Sequence, residues 1–81
     1  MNKFINLQVF FENSNDDKIV LTFDDISKII GEPLVNSAYN HRAYWSNSKT
    51  HMMPKAWISS GYILDSVDMV NQIATFKRGL K

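Results

Sequence analysis

The sequence predicts a small α+β domain of winged-helix character, with elements in the order α-β-α-α-α-β-β and a C-terminal β-hairpin. Three observations lead there. The chain has 81 residues, 44% hydrophobic and 21% charged, which is enough for one modest core, so residues 1–81 read as a single domain. Segments of helical periodicity occupy its first two-thirds, interrupted by one β-rich run, and two further β-rich runs close it. A strand before a helix-turn-helix, completed by a hairpin after it, is the string of elements of a winged helix, here with an additional helix ahead of the hairpin.

The first segment, KFINLQVFFE at 3–12, carries two periods. Ile5, Leu7, Val9 and Phe11 alternate as in a strand, while Phe4, Leu7, Phe10 and Phe11 share one side of a helix; a helix is the reading adopted. A polar cluster, ENSNDD, then gives way to KIVLTF at 18–23, a β-branched and aromatic run that reads as a strand. Thr22 and Asp25 have the spacing of a capping box, Ile26, Ile29 and Ile30 lie on one face, and Gly31 suits a left-handed C-cap, which puts helix two at about 24–30.

Pro33 prevents that helix from continuing, and Asn36 or Ser37 can cap a third helix through about Ser46. In that helix Tyr39, Asn40 and Arg42 are the outward candidates, Trp45 is the anchor into the core, and His41 takes a core or boundary place beside it. Pro54 fits the first turn of a short helix carrying Ala56, Trp57 and Ile58 and ending at Gly61, with Trp57 also in the core. Residues 62–67 and 73–78 form the hairpin around a turn at Val70, Asn71 and Gln72.

Several chemistries are excluded as expectations. With no cysteine there is no disulfide, thiolate zinc site or cysteine nucleophile. His41 and His51 are the only histidines and lack nearby carboxylates, so no metal is expected. No GxSxG elbow accompanies the serines, and three glycines do not make a phosphate-cradling loop, so neither enzymatic activity nor a cofactor is expected. The opening residues fit neither a signal peptide nor a membrane span, which points to a soluble cytoplasmic protein without a membrane partner.

The segments KFINLQVFF, LTFDDISKIIGEPL, NSAYNHRAYWSN, AWISSGY and IATFKR, taken together, run in order through about residues 3–78. In them the chain resembles a family of small uncharacterised bacterial and phage domains. The pattern of Ser37, Ala38, His41, Trp45 and Asn47, followed by Ala56, Trp57 and Gly61, carries the likeness. Val35 stands where proline is common in the family, and Tyr44 where a second tryptophan is. The resemblance implies one common fold and a helix for the first segment, and brings no activity with it.

Function is read from charge placement. Residues 1–32 hold six acids against three lysines, whereas no acid occurs from Pro33 to Leu64, a stretch that contains Arg42, Lys49, Lys55 and both histidines. Such a segment suits a phosphate backbone. The sequence therefore points to a non-enzymatic, regulatory DNA-binding protein. Tyr39, Asn40 and Arg42 would face base edges, Lys49 and Lys55 would flank them on phosphates, and Lys77 and Arg78 would stand on the last wing strand. The alternative is a protein-binding inhibitor module of a phage or mobile element, directed at a host defence or nuclease complex. Tyr39, Tyr44, Met52 and Met53 would then be its contact residues. A homodimer is compatible with either.

Overall fold

The computed structural model of the protein describes residues 3–48 and 51–79. It is a mixed α+β arrangement of four helices and one three-stranded antiparallel sheet. In chain order the elements are α1 (Ile5–Glu12), β1 (Lys18–Thr22), α2 (Phe23–Ile30), α3 (Asn36–Asn40), a 3-10 turn (Arg42–Tyr44), α4 (Met52–Ile58), β2 (Tyr62–Asp68) and β3 (Ile73–Arg78). The sheet order is β1-β3-β2, so the last strand lies in the middle.

The first segment is helical because only one of its two apolar patterns reaches the core. Leu7 and Phe11, four residues apart, are buried, while Ile5 and Val9 face outward. The α1 helix packs on α2 and α4, which in turn rest on β1 and β2 respectively. The aromatic centre joins both layers: the Phe11 ring lies 4.9 Å from that of Phe76 and 5.3 Å from that of Tyr62. Trp57 stands 5.0 Å from Phe76, and Trp45 stacks on Phe23 at 4.6 Å. Both tryptophans are buried.

The capping box at α2 forms as its spacing implies. The Asp25 N–H donates to Thr22 Oγ1 at 2.9 Å and the Thr22 N–H donates to the Asp25 carboxylate at 3.0 Å, and Gly31 closes the helix with φ 93°. The Thr22 backbone donor holds the Asp25 carboxyl below its ordinary value of 3.8. At the hairpin turn, the Asn71 N–H does the same for Asp68. A carboxylate with a depressed native pKa adds stability that is complete above the unfolded value and is lost as pH falls through the native one. Asp25→Asn is therefore expected to be destabilising at pH 7, with its gap to wild type closing toward about pH 3. Urea midpoints at both pH values check this; a gap of constant size would refute it.

The third helix departs from expectation. A continuous helix over 37–46 does not form, since α3 ends at Asn40 and His41 is extended at φ −130°, ψ 113°. The cause is Trp45, whose Nε1 donates to the Ala38 carbonyl at 2.8 Å while its ring stacks on Phe23. In an unbroken helix seven residues span about 10 Å along the axis, too far for that bond. The break also corrects the place expected for His41, which is exposed rather than in the core.

A second device closes the sheet edge. The Asn47 side chain faces β2 as a neighbouring strand would: Nδ2 donates to the Leu64 carbonyl at 3.1 Å and Oδ1 accepts from the Leu64 N–H at 2.8 Å. The same Oδ1 accepts from Trp57 Nε1 at 3.0 Å. Immediately beyond, Asp65 is the extra residue of a β-bulge.

Candidate nucleic-acid interface

The residues expected to contact nucleic acid fall into two separated groups. Asn40 and Arg42 are exposed on the broken α3 segment. Tyr39 is half-buried, its ring set edge-on to Phe23 at 5.8 Å, so it is held against the core. Lys55 is exposed on α4, the helix that leads into the hairpin. Lys49 lies outside the described residues.

Lys77 and Arg78 stand elsewhere. They are at the open end of the hairpin, where Arg78 pairs with Tyr62 and Lys77 with Lys18 in the strand register, far from the turn at 69–72. Lys77 is on the sheet surface away from the helices, since its neighbour Phe76 points into the core, and it pairs with Asp65 at 3.4 Å. Arg78 lies over the Tyr62 ring at 5.0 Å, donates to the Tyr62 hydroxyl at 3.1 Å and meets Asp17 at 3.7 Å. Both cations thus have local acidic partners, and the turn itself carries Asp68 and a fully outward Val70, 90% exposed.

The charge balance differs on the α3–α4 side. Lys3 pairs with Glu32 and Lys28 with Asp24, whereas Arg42 and Lys55 there, like Lys18 on β1, have no ion pair among the described residues. Ala43 and Tyr44 of the 3-10 turn and Met52 to Pro54 of α4 border a cleft of about 370 Å³. Its apolar walls are Phe4, Val35, Tyr44, Met52 and Pro54, with Ala43 also lining it. Lys3 supplies a cationic group and His51 an imidazole, and no carboxylate lines it among the described residues. Met52 continues into a second depression bounded by Gln8, Lys55 and Ser59, so Lys55 belongs to the same surface.

Local structure explains the cleft. The extended His41 redirects the chain into the 3-10 turn, which brings Ala43 and Tyr44 opposite α4. The Tyr44 hydroxyl donates to Met53 Sδ at 3.3 Å, and burial raises its pKa above the usual 10.0. Of the four residues weighed as protein contacts, Met52 is exposed, Met53 is buried, and Tyr39 and Tyr44 are half-buried.

Lys3, Phe4, Val35 and Pro54 escape sequence reasoning because they are scattered along the chain and meet only through the fold. Asn47 escapes because it sits in a polar SNS run that reads as an ordinary loop; the available signal was its place in the pattern on which the family resemblance was read. That pattern now has a structural meaning. Ala38, Trp45, Asn47 and Trp57 all take part in two hydrogen-bonded latches, the second completed by the Leu64 backbone.

Among the described residues no three His, Asp or Glu side chains gather as a metal site, and no helix is long and apolar enough to cross a membrane. No curated protein and no solved structure matches the sequence. A family match does cover nearly all of it, from residue 4 to residue 79, across both latches and every strand. The chain therefore belongs to the family described as a domain of unknown function, DUF7662.

Proposed function

We propose that the protein is a non-enzymatic DNA-binding module of winged-helix-like topology, using the surface of α3, the 3-10 turn and α4. The observation that carries this reading is the pair of unneutralised cations, Arg42 and Lys55, on a surface whose central cleft has no carboxylate lining. The sheet order β1-β3-β2 and a helix leading directly into the β2–β3 hairpin support the winged-helix comparison. In that comparison α4, not the broken α3, takes the position before the wing.

Phosphate contacts dominate such binding and make it steeply salt-dependent. Wild-type protein is expected to bind labelled random duplex DNA at about 50 mM salt and to weaken by an order of magnitude or more at about 200 mM. Arg42→Ala and Lys55→Ala should each weaken binding several-fold and lower the salt slope by about one. Lys77→Ala, on the opposite sheet surface and already paired with Asp65, should bind as wild type. Fluorescence anisotropy measures all four proteins. Absence of binding at low salt, or equal losses in all three variants, would overturn the reading and favour a protein partner.

A further inference from the structure

We infer that the cleft between Phe4, Tyr44 and Met52 receives a single unstacked base, so that the preferred ligand is single-stranded DNA rather than an intact duplex. The inference rests on the DNA-binding reading and narrows its substrate class. Two independent features carry it.

The first is what the break at His41 removes. Major-groove readout needs a helix that presents several side chains to base edges along the groove. Here α3 has five residues and α4 seven, and on α4 Met53, Ala56 and Trp57 are turned into the core while Pro54 is buried at the cleft. Lys55 is the long polar side chain left facing outward on α4. Phosphate binding survives this arrangement; reading a stacked duplex through one inserted helix does not.

The second is the chemistry of the cleft. Its volume of about 370 Å³ is within the roughly 300–1,000 Å³ range of small-molecule sites. Phe4, Val35, Tyr44, Met52 and Pro54 offer apolar walls to a flat ring, and Lys3, whose Nζ stands 5.3 Å from the centre of the Phe4 ring, offers a cation to an adjoining phosphate. Lys55 borders the depression that shares Met52 with the cleft, and Arg42 is an exposed residue immediately before the cleft-lining Ala43. The nearest acid in this region, Glu32, is engaged with Lys3 at 3.1 Å in an ion pair whose side chains are half exposed. A pair so exposed is weak enough for a phosphate to compete for the lysine. Apolar walls flanked by cations match a polyanion with flat bases, and single-strand binders combine the same two elements. Bases of a duplex reach such a cleft only after being unstacked and unpaired, at a cost.

The test compares one short mixed-sequence oligodeoxynucleotide, as a single strand and as its duplex, by fluorescence anisotropy at about 50 mM salt. The single strand is expected to bind about tenfold more tightly, within the range of one base–aromatic contact. Two plugging variants, Ala43→Trp and Val35→Trp, start from exposed positions on the cleft wall and leave every cation in place. Each should erase the single-strand preference while leaving duplex affinity and the salt slope as in wild type; a circular dichroism melt confirms that each is folded. Equal affinity for the two ligands, or a single-strand preference that persists in both folded plugs, would overturn the inference while leaving DNA binding intact. No binding to either ligand would overturn the DNA-binding reading itself.

Discussion

Phe11→Ala is expected to lower the melting temperature by about 20 °C or to leave the chain largely unfolded at 37 °C. Phe11 is 1% exposed and its ring meets those of Phe10, Trp57, Tyr62 and Phe76. Those contacts tie α1 to α4 and to both β2 and β3, so the cavity left by alanine would have walls on several elements that cannot all move inward. Burying such a void costs about 4 kcal/mol. An 81-residue domain has a total stability of roughly 4–12 kcal/mol at the usual amount per residue, so one substitution consumes much of it. Phe11→Leu, which keeps most of the volume, should recover more than half of the loss. Thermal melts followed by circular dichroism distinguish these outcomes, and a Phe11→Ala shift below about 5 °C would show that the aromatic centre does not hold the layers together.

Asn47→Ala is the second large effect, and it contradicts what exposure alone would predict. Asn47 is an exposed residue, and exposed substitutions usually change stability by less than about 0.5 kcal/mol. Yet its amide serves Leu64 N–H, Leu64 C=O and Trp57 Nε1, all on residues that are buried. Alanine leaves two donors and one acceptor without partners, and stranded buried polar groups cost about 1–3 kcal/mol each. Partial access of water to the edge lowers the sum, so a loss of about 3 kcal/mol is expected, or about 15 °C in melting temperature. Asn47→Asp retains the acceptor for Trp57 and the Leu64 N–H but loses the donor to the Leu64 carbonyl, so it should fall between alanine and wild type. Matching melts for Asn47→Ala and wild type would refute the latch.

How much of this was legible before the structure depends on whether the information was local. The α2 helix could be read because its start, its apolar face and its stop are all signalled within ten residues, by Thr22 and Asp25, by the isoleucines and by Gly31. The hairpin was equally local in its β-rich runs, although the bulge at Asp65 left no mark in the sequence. The α1 pattern was ambiguous because Ile5 and Val9 are apolar and exposed, so half of the apparent strand alternation is surface. The third helix misled for a different reason. Residues 36–46 satisfy helical spacing, but the stack of Trp45 on Phe23 is tertiary, and with the bond from Trp45 back to Ala38 it overrides local preference. The separation of Lys77 and Arg78 from Arg42 and Lys55 is likewise a matter of topology: the hairpin carries its cations at the end away from its turn.

The position of β3 between β1 and β2 also governs the order in which the molecule can come together. The two outer strands precede the middle one in the chain and do not pair with each other. During synthesis, then, β1 and β2 both emerge with their inner edges open, and neither finds its partner until residues 73–78 have followed. Most of β1's bonding bridges more than fifty positions of chain, a long-range closure that slows folding and makes it all-or-none. A chain cut before Ile73 would leave Phe11 and Trp57 without Phe76, the ring they share. Open strand edges and uncovered apolar rings of this kind favour aggregation, and pairing of β3 with both neighbours removes them together.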